Sequence, residues 1–342
     1  MTASVNSVAY HLFPLQGLDG LRVAPQPVPT PGPTQVVVRV RAASFNRRDL
    51  LLMDGAYPLP ATPGVVPLSD GVGEVIAVGA GVTRVAVGAR VTATYYLHWL
   101  HGPQRLAHVR EQYGANHDGW LADYVVLEED SAIEVPDHLT DAEAASLSCG
   151  GVVAWKTLAD PAPVLPGETV LTVGTGTVAL FAVQFARLRG ARVLSVTSSA
   201  EKAKRLRDLG ADETIDRGEH PDWEQVVVEL TGGHGVDHVV EAVGPPTLAK
   251  SVAASAFNAR VTVIGVFPSD GPAAGDPFGG RYLSIRRIAV GSRADFEEMN
   301  RALTAHRLGP VIDRVFPFEA AAEAYRYFRD GNPFGKVVLE RG

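Results

Sequence analysis

Along Gln35–Ala42 (QVVVRVRA) the side chains split by face, with Val36, Val38 and Val40 on one side of an extended chain and Val37, Arg39 and Arg41 on the other. That period of two predicts a strand, and the Pro-rich PVPTPGPT ahead of it blocks extension towards the N-terminus. Gly71–Gly79 (GVGEVIAVG) and Ala89–Tyr95 (ARVTATY) predict further short strands between Gly-containing turns. Residues 1–150 therefore read as a small barrel-like β domain.

From Gly150 the pattern changes to strands alternating with helices. Strands are predicted at 169–173, 192–196, 213–215, 237–242, 260–265 and 286–290, with helices at 177–189, 200–209 and 246–256 between them. Such alternation predicts a parallel, doubly wound sheet covered on both faces. After Gly291 a helix at Asp295–His306 and a strand at Gly335–Leu339 return the chain to the first domain. The expected boundaries are 1–150, 151–291 and 292–342, an α/β chain in which a Rossmann-type domain interrupts a β domain.

The first of those strands runs into Gly174-Thr175-Gly176-Thr177-Val178-Ala179, a Gly-x-Gly-x-x-Ala turn that opens a helix. Gly174 permits the sharp turn, Gly176 lets backbone approach a pyrophosphate, and Ala179 lets the helix lie close on the sheet. Phosphates then meet the helix N-terminus at Thr177 and Val178, on amides without partners inside the helix. The glycine pattern is weak alone. The second strand gives it context, because it ends about twenty residues on, where a ribose is read.

Bulk properties narrow the classes. The 342 residues are 46% hydrophobic and 20% charged, with a net charge of −7, which gives no reason to expect nucleic acid or an anionic membrane. No apolar run approaches the length of a membrane span and the first residues lack a secretory pattern, so a cytoplasmic location is expected. The single cysteine, Cys149, excludes an intrachain disulfide and any site of several thiolates.

The chain resembles the medium-chain dehydrogenase/reductase superfamily over nearly its whole length, and within it the zinc-independent quinone oxidoreductase branch. The matching pieces are AASFNRRDLLLMDGAYP (42–58), PLSDGVGEVIAVGAGV (67–82), DGWLADYVV (118–126), AASLSCGGVVAWKTL (144–158), GTGTVALFAVQFARLRGARV (174–193) and GVDHVVEAVG (235–244). The resemblance implies a Rossmann sheet inserted into a GroES-like β-barrel domain, hydride transfer with NAD(P)H, and a homodimer formed through the edge of the nucleotide-domain sheet. By position it also implies basic groups for the pyrophosphate at Arg47 and Lys336, a crevice wall at Val243, Ile264 and Val266, and a rim at Ser292 and Arg293 following the sixth strand.

Zinc-dependent members of that superfamily carry Cys where Asn46 stands and Gly-His-Glu where Leu68-Ser69-Asp70 stands, leaving only Cys149 at a ligand position. One soft ligand does not hold a catalytic zinc, so no metal is expected. The lobe that holds a structural zinc on four cysteines corresponds to 97–117, which has none. Its His98, His101, His108 and His117 permit a rival metal site, but no carboxylate pattern in the sequence accompanies them. A flap with Tyr95, Tyr96 and Trp99 as apolar wall is the plainer expectation.

At the end of the second strand an NAD-preferring domain places an acid. Here the chain reads Thr197-Ser198-Ser199-Ala200-Glu201-Lys202, with Arg217 after the third strand. Hydroxyls and cations accept a 2′-phosphate that an acid repels, so NADPH is expected over NADH. Ser198 and Glu201 also have capping-box spacing, a purely structural use.

Without a Lewis acid the easier acceptors are conjugated, such as quinones and α,β-unsaturated carbonyls. Asn46 is the candidate for holding the carboxamide or substrate oxygen, against a plain capping role. Asp70 either orders the pocket or is a solvated turn residue, and Asp49 pairs with a nearby arginine such as Arg48. Tyr57 and Tyr95 are candidate proton donors beside bulk water, and Cys149 is a poor nucleophile. The alternatives are an alcohol or aldehyde oxidoreductase, an NADPH-binding protein without turnover and, more distantly, a methyltransferase.

Overall fold

The computed structural model describes residues 7–267, 276–288 and 290–342. Two compact units divide the chain, one running up to Val152 and resuming at Gly291, the other spanning Val153–Val290.

In the first unit β1 (Ser7–Leu12) and β2 (Leu21–Gln26) form an antiparallel hairpin. β3 (Gln35–Ser44) is followed by the short helix α1 (Arg47–Met53), then β4 (Asp70–Val78), β5 (Arg90–Ala93), β6 (Tyr124–Glu128), β7 (Ala132–Glu134), α2 (Asp141–Ala144) and α3 (Gly150–Ala159), the last running on into the second unit. β3 is central and pairs with β4 and β6, so Val37, expected on the polar face, is buried like Val36 and Val38. The register shifts between Val37 and Val38, which breaks the simple alternation. Arg39 and Arg41 keep the exposed face.

The second unit alternates as its hydrophobic pattern predicts. β8 (Thr169–Val173), α4 (Thr177–Leu188), β9 (Arg192–Thr197), α5 (Ala200–Leu209), β10 (Glu213–Asp216), α6 (Trp223–Leu230), β11 (Val236–Glu241), α7 (Pro245–Ala253), β12 (Ser255–Val263) and β13 (Ser284–Arg287) build one parallel sheet. The strand order is β10-β9-β8-β11-β12-β13. The winding reverses between β8 and β11, the place where an open parallel sheet offers a ligand crevice. Val170, Leu171, Val193, Leu194, Val239 and Val240 are buried, as strands covered on both faces require.

Two expected elements differ. The helix at 246–256 ends at Ala253 and the chain enters β12 at once, since Ala254–Ala256 carries no Gly or Pro stop that would have marked the change. The strand expected at 286–290 is found at Ser284–Arg287, and Ala289 lies outside the described residues.

The first unit resumes with α8 (Arg293–His306), β14 (Ile312–Pro317), α9 (Ala321–Asp330) and β15 (Lys336–Glu340). β15 pairs with β3 and β14 with β15, completing the sheet order β14-β15-β3-β4-β5-β7. Trp120, Phe45, Tyr325 and Phe318 fill its core. No helix among the described residues is long and apolar enough to cross a membrane.

Candidate functional site

In the second unit the glycine turn has the geometry a diphosphate needs. Gly174 takes φ +104°, and its amide donates to the Val196 carbonyl at 3.0 Å. That φ favours glycine, and a Cβ there would also crowd Val243 Cγ2 at 3.2 Å. Gly176 is the N-cap of α4 with no side chain capping it, and a Cβ there would meet nothing within 4 Å. Open space thus faces the unpartnered amides at Thr177 and Val178 on a twelve-residue helix, which suits an anion.

The strand ends beside this turn carry the remaining expected contacts. Thr197 is buried, and its Oγ1 has no hydrogen-bond partner among the described residues. Ser199, rather than Ser198, caps α5: its Oγ accepts from the Lys202 amide at 3.3 Å, so the Ser198–Glu201 capping box does not form. The shift by one residue leaves Ser198 exposed and puts Lys202 in the first turn. Arg217 follows β10 with an exposed side chain, and its amide donates to the Thr197 carbonyl at 3.0 Å. These residues fit a dinucleotide with a polar or phosphorylated ribose.

Glu241 was not singled out from the sequence. It ends β11 fully buried, and its Oε1 accepts from the amides of Val243 and Gly244 and from Thr247 Oγ1, each at 2.9 Å, while Ser251 Oγ donates to Oε2. Burial pushes its carboxyl up, against the opposing pull of these donors. The carboxylate fixes the turn carrying Val243, and Ile264 is tied back by its amide to the Glu241 carbonyl at 2.9 Å. A Cβ on Gly265 would lie 2.1 Å from the Val243 carbonyl carbon, so the two loops touch backbone to backbone. Val266 is exposed on the same rim. A buried glutamate followed by Gly-Pro-Pro-Thr was the available signal.

In the first unit, Asn46, Asp70 and Lys336 meet in one buried cluster. Lys336 Nζ donates to Ser44 Oγ at 3.0 Å, the Phe45 carbonyl at 3.1 Å, Asn46 Oδ1 at 2.9 Å and Asp70 Oδ2 at 3.2 Å. Both members of the Asp70–Lys336 pair are fully buried. Lys336 was expected to present its charge to a pyrophosphate; instead all of its hydrogen-bonding capacity is used inside this unit. Asp70 is no solvated turn residue, since it also accepts from Ser69 Oγ at 2.7 Å and from the Cys149 amide at 3.1 Å. Asn46 is the N-cap of α1, with Nδ2 3.4 Å from Ser69 Oγ.

Arg48 and Asp49 form no ion pair, contrary to expectation. Successive helical residues point apart: Asp49 Oδ2 turns back to the Asn46 amide at 2.7 Å, while Arg48 donates to the Tyr113 carbonyl at 2.8 Å. Burial pushes the Asp49 carboxyl up to about 6, partly offset by the Arg48 charge and the Asn46 amide.

Tyr57 and Tyr95 do come together, with hydroxyls 2.8 Å apart. Tyr57 is half-buried and Tyr95 buried, and Tyr57 also donates to Gln112 Oε1 at 3.4 Å. Burial drives Tyr95 well above the ordinary phenol range, against the nearby Arg48 charge. Tyr95 therefore keeps its proton at neutral pH and can donate a hydrogen bond to Tyr57. Burial also pushes the Cys149 thiol up, with the Asp70 charge adding to the effect, so Cys149 is not a thiolate nucleophile.

The histidine lobe contains a carboxylate that the sequence pattern had not revealed. The Glu111 carboxylate lies 3.2 Å from His98 Nε2 and 3.3 Å from His117 Nε2, while His108 stacks on Trp99. Trp99 is 1% exposed and packs on Tyr96, so it belongs to the core rather than to an open wall. Among the described residues no group of three His, Cys, Asp or Glu is arranged to hold a metal ion.

Ser292 and Arg293 do not end the sixth strand. Ser292 caps α8 through the Asp295 amide, and the Arg293 guanidinium is committed to the Asp130 and Ala132 carbonyls and to Glu297. Arg47 is exposed at the start of α1.

Comparison with known proteins finds relatives over nearly the whole chain. Residues 32–137 match the family model described as alcohol dehydrogenase GroES-like domain, and residues 177–305 the one described as zinc-binding dehydrogenase. The chain is 36% identical over 334 residues to a zinc-type alcohol dehydrogenase-like protein of Schizosaccharomyces pombe, covering 95% of this chain and 96% of that one. It is 31% identical to a quinone oxidoreductase of Pseudomonas aeruginosa, covering 90% and 92%. Among solved structures, a putative alcohol dehydrogenase from Sinorhizobium meliloti aligns with a TM-score of 0.89 and 37% identity over 98% of this chain and 99% of that one. A mycobacterial protein complexed with NADPH aligns with a TM-score of 0.81 and 28% identity over 98% and 99%.

Proposed function

The chain belongs to the medium-chain dehydrogenase/reductase superfamily, whose members named here are pyridine-nucleotide oxidoreductases, and from that premise we propose that it is an NADPH-dependent, zinc-independent reductase of quinones or α,β-unsaturated carbonyls. The observation that carries this reading is the Lys336 ammonium bonded to Asn46 and Asp70, where zinc-dependent relatives keep metal-binding chemistry. A dication is repelled by that ammonium, and Asn46 and Ser69 supply neither thiolate nor imidazole.

When bound, the reduced nicotinamide supplies two electrons and a hydrogen to the acceptor. The turn at Gly174–Val178 would hold its diphosphate, and Thr197, Ser198, Lys202 and Arg217 its ribose end. Asn46, fixed by Lys336 and Ser69, offers an oriented amide for a carboxamide or a substrate oxygen. The Tyr57–Tyr95 pair donates a hydrogen bond to the oxygen on which charge collects, then a proton. Conjugated acceptors suit this set because their charge is delocalised and needs no Lewis acid. The reading is supported by the quinone oxidoreductase relative and by the NADPH-bound structural neighbour.

Purified protein should oxidise NADPH steadily with at least one member of a panel of quinones and enones, and should contain no stoichiometric zinc. A tightly bound zinc equivalent overturns the metal-free mechanism. Alcohol-dependent reduction of NADP⁺ without quinone or enone turnover assigns the alcohol dehydrogenase reading that other relatives' names favour. Tight NADPH binding with no turnover assigns a binding protein.

Cofactor choice has its own test. Lys202→Ala should weaken NADPH by about ten- to a hundredfold, the worth of one charge-assisted contact, and leave NADH nearly unchanged. Fluorescence titrations of both nucleotides check it, and equal losses for the two would refute the phosphate contact.

A further inference from the structure

Arg48 is buried, with 5% of its surface exposed, yet its acceptors are neutral. One terminal nitrogen donates to the Tyr113 carbonyl at 2.8 Å and the other to Gln112 Oε1 at 3.4 Å. Among the described residues no carboxylate forms an ion pair with it, and its Nε is buried without a partner. The guanidinium carbon instead lies 4.8 Å from the centre of the Tyr95 ring and 5.4 Å from that of Tyr57. Two aromatic faces offset the cost of burying a cation only in part. A charge kept at that cost, against the faces of two tyrosines whose hydroxyls touch each other, suits an anion that exists only during turnover.

We propose that Arg48 is a positioning residue whose charge stabilises the phenolate formed when the Tyr57–Tyr95 pair protonates the reduced acceptor. The proposal rests on the reading of the acceptor as a quinone or an activated C=C bond. Hydride addition, which carries two electrons from the reduced nicotinamide, leaves an enolate or a hydroquinone monoanion. The O–H bond of Tyr57, the outer member, then breaks and its electron pair stays on the phenolate oxygen. The proton forms a C–H bond at the enolate α-carbon, or the second O–H bond of the hydroquinone. Tyr95 donates to the new phenolate across the existing 2.8 Å contact, Arg48 faces both rings, and water returns the proton to Tyr57.

The titratable groups around the pair are Arg48 and Asp49 on α1, Tyr57 in the loop after it, Tyr95 and Tyr96 after β5, and Cys149 before α3. Burial holds Tyr95, Tyr96 and Cys149 neutral, so the charges beside the dyad are the Arg48 guanidinium, which faces both rings, and the Asp49 carboxylate, which turns back to the Asn46 amide. Gln112 Oε1 accepts from both Arg48 and Tyr57, and so ties the orientation of the guanidinium to that of the outer hydroxyl.

The test compares wild type, Arg48→Met and Arg48→Lys by ultraviolet-difference titration of tyrosinate, NADPH fluorescence titration and steady-state turnover against pH. In Arg48→Met the tyrosinate transition of the dyad, identified as the one absent from the Tyr57→Phe, Tyr95→Phe background, should rise by about one unit or more, kcat should fall about tenfold or more, and NADPH affinity should hold. Arg48→Lys should recover part of both effects, because it restores charge without the planar fork. The titration shift should disappear in a Tyr57→Phe, Tyr95→Phe background. A folded Arg48→Met whose tyrosinate titration superimposes on wild type overturns the proposal; if that variant does not fold, a titration of Arg48→Lys identical to wild type in position and slope, with unchanged kcat, does so. The titration needs no acceptor, so wild-type protein that reduces no quinone or enone rejects the reductase reading while the effect of Arg48 on the dyad is still decided.

Discussion

Lys336→Met is expected to lower the unfolding free energy by about 3–5 kcal/mol, a large part of what an ordinary domain possesses. The substitution leaves the Asp70 carboxylate fully buried without its counter-charge, and frees the acceptor atoms of Ser44, Phe45 and Asn46 at the same stroke. Lys336 opens β15, whose partner β3 ends at Ser44, and Asp70 opens β4 on the other side of β3. The ammonium therefore pins three adjacent strands at one end, and its loss should loosen the position of Asn46. Lys336→Met combined with Asp70→Asn should regain much of the loss, because neither partner is then an unpaired buried charge, and an asparagine oxygen can still accept from the Cys149 amide. Urea denaturation of the single and double variants measures this. A single variant within about 1 kcal/mol of wild type would show that the pair contributes no more than an exposed one.

The same cluster shows where sequence reasoning reached and where it stopped. The alternation of strands and helices in the second unit is legible where a short apolar run meets a clear turn residue, as at Val173-Gly174, and fainter at β10 (ETID) and β13 (SIRR), which carry few apolar positions. The β1–β2 hairpin was missed, since Ser7–Gln26 has few alternating apolar positions and a Pro at residue 25. α1, α6 and α9 were missed as well: α1 is barely two turns, and α9 carries its aromatic residues on a mostly polar segment. At the site, the sequence singles out Asn46, Asp70, Tyr57, Tyr95 and Lys336, but their side-chain partners beyond immediate neighbours lie 23 to 292 positions away. Lys336 to Ser44 spans 292 residues, a separation that periodicity cannot read. Glu241 was passed over for a related reason: its four donors lie within ten residues, but only the fold of the turn aims them inward.

Tyr57→Phe should lower kcat with an enone by about a hundredfold or more while leaving NADPH affinity within about twofold of wild type. The substitution keeps the ring over Arg48 and removes only the hydroxyl, which is the half-buried end of the pair and the one turned towards Gln112. Tyr95→Phe should cost less, because Tyr95 is buried and acts through Tyr57 across the 2.8 Å contact. The pH dependence separates the two possible sources of the proton. A proton donated by a phenol gives a wild-type rate that is flat through neutral pH and declines only on the alkaline side, and burial keeps Tyr95 protonated to support it. If hydronium is the donor once the hydroxyl is gone, Tyr57→Phe should become slower as pH rises, since hydronium supply falls tenfold per unit. An undiminished kcat in Tyr57→Phe, with a pH profile matching wild type, would remove the dyad from the reaction and leave orientation by Asn46 as the chief contribution of the first unit.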